Sequence, residues 1–119
     1  MRRRERSFVA RSTCVPDNNC APDRLVSAAG AFGRVARIPT LWLYAQNDSY
    51  FAPALSERMF AAFHDAGGTA EYRLLPALGA DGHIRMTGDA AIALWAPIVE
   101  RFLQSLPNEK LAIAKNTAR

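Results

Sequence analysis

The clearest pattern of hydrophobic and polar positions lies in the middle of the chain. Residues Thr40–Ala45 form a short uncharged run that is rich in aromatic and β-favouring side chains. Such a run is typical of a strand buried on both faces of a parallel sheet. The polar residues Asn47, Asp48 and Ser49 follow closely. The pattern therefore predicts that the strand ends before them and that a turn begins there.

Two segments predicted to be helical flank this strand, one on each side. Upstream, Arg24–Arg34 places four apolar residues on one helix face, namely Leu25, Val26, Ala29 and Phe32. Downstream, Pro53 suits the first turn of a helix, and the glycine pair at 67–68 suits its end. Both segments are therefore predicted to be helices.

A second short strand is predicted over Thr69–Leu75, where apolar and polar side chains roughly alternate and after which Pro76 follows. The order helix, strand, helix, strand with short connections indicates parallel strands joined by right-handed crossovers. The predicted fold class is therefore α/β, with a short parallel sheet of about two strands and flanking helices.

The remainder is predicted to be a loop and a final helix. Residues 77–88 contain three glycines and are predicted to form the loop. An apolar stripe then recurs every three or four residues, at Ile92, Trp95, Val99, Phe102 and Leu106. Because Pro97 falls inside this stripe, we expect the helix to begin near Trp95, with Pro97 in its first turn. The alternative is a helix that is kinked at Pro97.

Positive charge is concentrated at the two ends of the chain. Of the net charge of +4, residues 1–20 supply +3, from five arginines against two acidic residues. Residues 107–119 supply +2, which leaves −1 between them. Residues 1–19 are predicted to be a disordered basic leader, 20–106 the part of the chain that belongs to a folded domain, and 107–119 a frayed basic tail. A nucleic-acid-binding protein would depend on these ends alone, so no nucleic-acid partner is expected.

Other classes of protein are disfavoured by composition. No apolar run approaches the roughly 20 residues needed to cross a bilayer, and the arginine-rich start lacks the apolar segment of a secretory signal. We therefore expect a soluble cytoplasmic protein without a membrane partner. Cys14 and Cys20 lack zinc-site spacing and form no pattern with His64 or His83. Neither a metal site nor a disulfide framework is predicted, and no cofactor is implied.

Two chemically active residues follow the two predicted strands. Asp48 follows the first and His83 the second, and the carboxyl ends of parallel strands share one edge of the sheet. A carboxylate beside an imidazole fixes its tautomer, so that the other ring nitrogen can act as a general base. The alternatives are that Asp48 caps the next helix and that His83 is an exposed loop histidine. His64, near a helix C-terminus, is expected to interact with the helix dipole.

Several segments carry a family resemblance, namely Ile38–Asp48, Pro53, Ala-Gly-Gly at 66–68, Leu74–Pro76 and Gly79–His83. Together they resemble the C-terminal portion of α/β-hydrolases of the dienelactone hydrolase type. The resemblance covers roughly Asn18–Leu106. It implies that Asp48 is the acid of a catalytic triad, that His83 is its base, and that the substrate is a carboxylic ester or lactone. Tyr50 and Phe51 are candidates to line the substrate pocket, with packing beneath the next helix as the alternative.

The sequence departs from this family at the nucleophile. Family members place a serine or cysteine on a G-x-S-x-G-like turn upstream of the acid. The serines and cysteines before Asp48 are Ser7, Ser12, Cys14, Cys20 and Ser27, and none lies between paired glycines. The sequence therefore predicts a hydrolase fragment that is inactive alone and self-associates through an exposed sheet edge. The alternative is a noncatalytic α/β module that binds a partner and completes a sheet in trans.

Overall fold

The structure, a computed structural model, describes residues 21–107. Its elements are α1 (Pro22–Val35), β1 (Thr40–Ala45), α2 (Pro53–Asp65), β2 (Ala70–Leu75), α3 (Gly82–Arg85) and α4 (Asp89–Ser105). The predicted α/β class is confirmed, with helices flanking a two-stranded parallel sheet. The predicted leader, and all of the predicted tail beyond residue 107, lie outside the described residues.

The first two helices begin and end where the local chemistry favours it. Pro22 and Pro53 both occupy the first helical turn, where a missing backbone N–H leaves no hydrogen bond unmade. α1 is longer than the predicted Arg24–Arg34 by two residues at its start and one at its end. After α2, Gly67 takes a φ of 112°, which L side chains rarely adopt, so the glycine pair ends this helix as predicted.

β1 and β2 run parallel, with Thr40 opposite Ala70. At the start of the pair, Thr40 N donates to Thr69 O over 2.9 Å, and at its end Gln46 N donates to Leu75 O over 3.0 Å. α2 provides the crossover that a parallel pair requires. β1 has the predicted bounds, whereas β2 begins one residue later than predicted.

One face of the sheet is covered by a layer of two helices, of which α2 contacts both strands. Trp42 of β1 packs against α2, with its ring centroid 6.1 Å from that of Phe60 and 5.2 Å from that of Phe63. α1 packs against α2. The two helices come very close at Gly33, where an added Cβ would overlap the backbone of Phe63. The two helices therefore form one layer, which depends on that glycine.

The buried core lies on the other face, at the carboxyl ends of the strands. Ala45 and Leu75, the last residues of β1 and β2, are at most 3 % exposed and cluster with Leu78 and Ala91. Partly buried residues pack against this cluster from the C-terminal part of the chain, namely Met86, Trp95 and Ile98. The part of the chain that follows β2 is thereby held against the ends of both strands.

The predicted start of the last helix is wrong. α4 begins at Asp89 rather than near Trp95, and Pro97 lies in its interior. Proline has no N–H to donate to the carbonyl four residues earlier, so local preference disfavours this arrangement. The helix nevertheless extends upstream because Ala91 is 1 % exposed in the core and Ile92 N donates to Gly88 O over 3.0 Å. The packing of Ala91 in the core thus outweighs the effect of the proline.

Candidate functional site

Asp48 is held in a turn immediately after β1. Its backbone N–H donates to Ala45 O over 3.1 Å, which closes the turn. Its carboxyl Oδ1 accepts from Tyr50 N at 2.8 Å and from Phe51 N at 2.7 Å. The residue is 6 % exposed. Two backbone donors therefore fix the orientation of the carboxylate and leave Oδ2 for another partner.

The alternative role for Asp48, as the cap of the next helix, does not fit this geometry. The N-cap of α2 is Ala52, which makes no side-chain cap hydrogen bond. Asp48 instead bonds to the backbone two and three residues ahead, within the turn itself. The carboxylate therefore organises the turn that connects β1 to α2.

His83 lies in a short helix, so the prediction that residues 77–88 form only a loop is wrong. α3 is a single turn whose N-cap is Asp81, and the Asp81 carboxylate accepts from His83 N at 3.0 Å. Gly82 N donates to Asn47 O over 3.2 Å. A Cβ on Gly82 would overlap Ala45 Cβ. Gly82 therefore lets this turn pack directly on the end of β1, which a local sequence pattern does not show.

The structure places Asp48 and His83 in contact across the carboxyl edge of the sheet. His83 Nδ1 lies 3.3 Å from Asp48 Oδ2. The histidine side chain is 40 % exposed and the aspartate side chain 4 % exposed. A carboxylate can only accept, so the contact assigns the proton to Nδ1 and leaves Nε2 of the neutral ring as an acceptor. This arrangement gives a buried carboxylate that orients a partly exposed imidazole.

Asn47, which the sequence analysis assigned only to the turn, joins the two segments that carry this pair. Its Nδ2 donates to Leu78 O at 3.2 Å and to Gly79 O at 3.0 Å, and its Oδ1 accepts from Leu78 N at 2.9 Å. One amide side chain thus ties the end of β1 to the segment after β2. In the sequence, the only indication that Asn47 belongs to the site is its place beside Asp48.

Ser49 and Asp81 form a second connection between the same segments. Ser49 Oγ donates to Asp81 Oδ2 at 2.5 Å, and Ser49 N lies 3.3 Å from Asp81 Oδ1. The hydrogen bond from Ser49 is the main reason that the pKa of Asp81 lies below its ordinary value, and the backbone N–H of His83 lowers that pKa further. Asp81 therefore bridges the residue after Asp48 and the residue before α3. Its position two residues ahead of His83 was the available sequence signal.

Two aromatic rings lie beside the imidazole of His83. The ring of Tyr50 has its centroid 4.4 Å from that of His83, and the ring of Phe51 lies at 5.8 Å. Phe51 also packs against Tyr44 at 5.9 Å. Burial, followed by the nearby Tyr72 and Asp48, raises the pKa of the Tyr44 phenol, so this side chain stays protonated at neutral pH.

A groove of about 480 Å³ leads away from the pair along β1. It is lined by Leu41–Tyr44 of the strand and, at one end, by Asp48, Phe51 and His83. Tyr50 is 42 % exposed and is not among the lining residues. Of the two predicted substrate-binding residues, the structure thus places Phe51 at the groove and Tyr50 against the ring of His83.

Other candidate residues lie apart from this arrangement. His64 is in the last turn of α2, with Nδ1 3.8 Å from Asp65 Oδ1. Within residues 21–107, no serine or cysteine hydrogen-bonds to the imidazole of His83. In the same part of the chain, no three His, Cys, Asp or Glu residues form a group that could hold a metal ion. The described helices include none long and apolar enough to cross a membrane.

Comparison with known proteins gives no match: no family model, curated protein or solved structure is similar to this chain. What the chain can do chemically therefore follows from its own geometry, above all from the contact between Asp48 and His83.

Proposed function

We propose that the chain is the acid–base part of an α/β-hydrolase of the dienelactone hydrolase type, acting on a carboxylic ester or lactone. The observation that carries this proposal is the contact of 3.3 Å between a buried Asp48 carboxylate and an accessible His83 imidazole. The pair lies beyond the carboxyl ends of parallel strands, where α/β proteins commonly place ligands and catalytic groups.

In this proposal Nε2 of His83 is the general base. A serine hydroxyl or cysteine thiol gives its proton to Nε2 while its oxygen or sulfur attacks the acyl carbon, and the imidazolium is stabilised by Asp48. The imidazolium then protonates the departing alkoxide. Water hydrolyses the acyl intermediate with the same nitrogen acting as base. In this proposal the nucleophile comes from outside residues 21–107.

The lining of the groove suits the acyl or ring portion of such a substrate. Near the histidine, the groove presents Phe51 and Met86, and its remaining walls are mainly apolar. Apolar walls with a few directed polar groups are typical of small-molecule sites. We therefore expect preference for uncharged esters or lactones, and the groove does not distinguish between these two classes.

An activated ester tests the base without the missing nucleophile, because a neutral, accessible imidazole attacks such an ester directly. The substrate is p-nitrophenyl acetate, and release of p-nitrophenolate is measured for the full chain and for His83→Ala. His64→Ala is the matched control, since it removes the other histidine, whose side chain is 60 % exposed. We expect His83→Ala to lose more of the protein-dependent rate than His64→Ala, because the buried Asp48 carboxylate holds the tautomer of the His83 ring.

Asp48→Asn should lower the same rate, because an amide can donate to Nδ1 and thereby hold the wrong tautomer. Circular dichroism of each variant checks that the fold is kept. If His83→Ala retains the parent rate, or if His64→Ala loses as much, the assignment of His83 as the reactive base is wrong.

A second candidate function is favoured by a separate observation. The described sheet has only two strands, and β1 borders an open groove on the side away from β2. A strand edge that is neither charged nor covered readily pairs with another chain. The chain would then be a noncatalytic α/β module that completes a sheet in trans.

A further inference from the structure

The hydrogen-bonding pattern of β1 shows which of its backbone groups face the open groove. Thr40 N and Gln46 N both donate to β2. In a parallel pair, the residues that point toward the neighbouring strand alternate along the chain. The even-numbered residues of β1 therefore face β2, and Leu41 and Leu43 direct their N–H and C=O groups to the opposite edge.

Among the residues of β1, only Leu41 and Leu43 offer complete pairs of edge groups. At the end of the strand, the carbonyl of Ala45 already accepts from Asp48 N over 3.1 Å. Before the strand, Pro39 has no N–H. Within residues 21–107, Leu41 and Leu43 thus present two donors and two acceptors to the groove, enough for four hydrogen bonds to an added strand.

The groove also has the shape of a strand position. It is lined by four successive residues, Leu41–Tyr44, whose side chains point alternately to the two faces of the sheet. A cavity that touches both faces of one strand must lie at its edge. The lining residues of β1 carry no charge, so the groove favours an occupant that is uncharged over the same stretch.

α1 extends over this position. A second cavity, of about 320 Å³, lies beneath it and is lined by Leu25, Ala28, Ala29, Phe32, Trp42, Met59 and Phe63. Trp42 and Met59 line both cavities, and β2 contributes to neither. Packed helices lie about 8–10 Å apart and strands about 4.8 Å apart. A helix beside α2 therefore covers at least one further strand position next to β1.

We propose that the edge of β1 and the underside of α1 bind an extended strand of a partner polypeptide, uncharged and apolar on alternate residues. This inference rests on the second candidate function and uses no catalytic assignment. The strand forms hydrogen bonds with Leu41 and Leu43, and its side chains on one face fill the cavity beside Phe32. Main-chain pairing of this kind is the usual mode of strand addition.

Two other occupants fit less well. Residues 1–20 contain five arginines, which an apolar groove with no carboxylate except Asp48 does not match. A second copy that pairs its own β1 about a two-fold axis would bring its α2 into the space that α1 already fills. The apolar lining of the groove and the position of α1 therefore favour a strand from a different chain. That strand would carry no helix on the face of the sheet where α1 lies.

Amide hydrogen exchange of the full chain, followed by NMR, tests the proposal. The probe is a synthetic peptide of alternating valine and threonine with a lysine at each end. We expect exchange at Leu41 and Leu43 to slow about tenfold when the peptide is at ten times its dissociation constant. Exchange at Trp42 and Tyr44, whose N–H groups already bond to β2, should be slow even without the peptide. A peptide N-methylated on its pairing residues is the control ligand.

Two matched variants locate the binding surface. Phe32 lies on the underside of α1, lines the second cavity and is 65 % exposed. Ile84 is 69 % exposed and lines neither cavity. Phe32→Glu should therefore weaken peptide binding at least about tenfold, whereas Ile84→Glu should leave it unchanged.

Three results would overturn the proposal. The first is no effect on Leu41 and Leu43 with peptide at about 1 mM, since strand addition to this edge would then be negligible. The second is protection of both amides in the peptide-free monomer, which would show that the chain fills its own groove. The third is protection that rises with protein concentration, which would identify a second copy. None of these depends on ester turnover, so the assignment of His83 as the base stands or falls separately, although the strand and an ester substrate would compete for the same groove.

Discussion

Replacing Gly82 with alanine would show how tightly the turn that carries His83 is packed on the end of β1. The added Cβ would overlap Ala45 Cβ and lie 2.6 Å from Asn47 Oδ1. Neither neighbour can move freely. Ala45 is fully buried, and Asn47 Oδ1 accepts from Leu78 N at 2.9 Å. The substitution must therefore displace α3, and with it the imidazole.

Overpacking of a well-packed site costs about 1–3 kcal/mol. Because both neighbours are fixed, we expect Gly82→Ala to lower the free energy of unfolding by about 2–3 kcal/mol. Backbone strain does not contribute, since among the described glycines only Gly67 and Gly79 have positive φ. The whole effect is therefore steric.

Urea unfolding of the two variants Gly82→Ala and Gly67→Ala measures this difference. At Gly67 nothing lies within 4 Å of an added Cβ, so the cost there comes from the left-handed backbone alone, about 1–2 kcal/mol. The ¹⁵N signals of the His83 ring should change in Gly82→Ala and remain in Gly67→Ala. A Gly82→Ala variant within about 0.5 kcal/mol of the parent, with unchanged His83 signals, would refute the packing described here.

Two further substitutions test other contacts. Ser56→Ala should lower the free energy of unfolding by about 1 kcal/mol, because its fully buried hydroxyl lies 2.7 Å from that of Tyr72. In urea unfolding, an equal loss in the exposed control Ser27→Ala would contradict this expectation. Asp81 has a folded-state pKa below 3.8, so its stabilising effect is complete above about pH 4 and is lost as the pH falls through the folded value. Thermal unfolding at decreasing pH should show this loss in the parent but not in Asp81→Asn, and identical profiles would refute the role of the Ser49–Asp81 contact.

Strong local patterns account for much of this fold. β1 could be predicted to the residue because its apolar run lies between Pro39 and the polar turn at Asn47, both of which are local signals. α1 and α2 carry proline at their starts, and glycine follows α2. Since parallel strands share one carboxyl edge, the proximity of Asp48 and His83 was also accessible from the order of the elements. The catalytic role of this pair remains a prediction.

Contacts between distant residues decided the rest. α4 begins well before Pro97 because Ala91 reaches a core formed with Ala45, and no property of the helix segment alone reveals that neighbour. α3 forms because Asp81 caps it and Gly82 fits against β1, more than thirty residues earlier in the chain. Sequence periodicity reports on residues within a turn or two of one another, so it cannot show these contacts.

The sequence by itself therefore determined the order of helices and strands, the bounds of β1 and the edge at which Asp48 and His83 lie. The tertiary structure alone decided how Asn47 and Asp81 join the two segments at that edge, and which backbone groups of β1 stay open. The physical reason is the distance along the chain over which each effect acts. Local propensity and hydrophobic spacing select an element, whereas its end points, side-chain partners and free edges depend on what the folded chain places beside it.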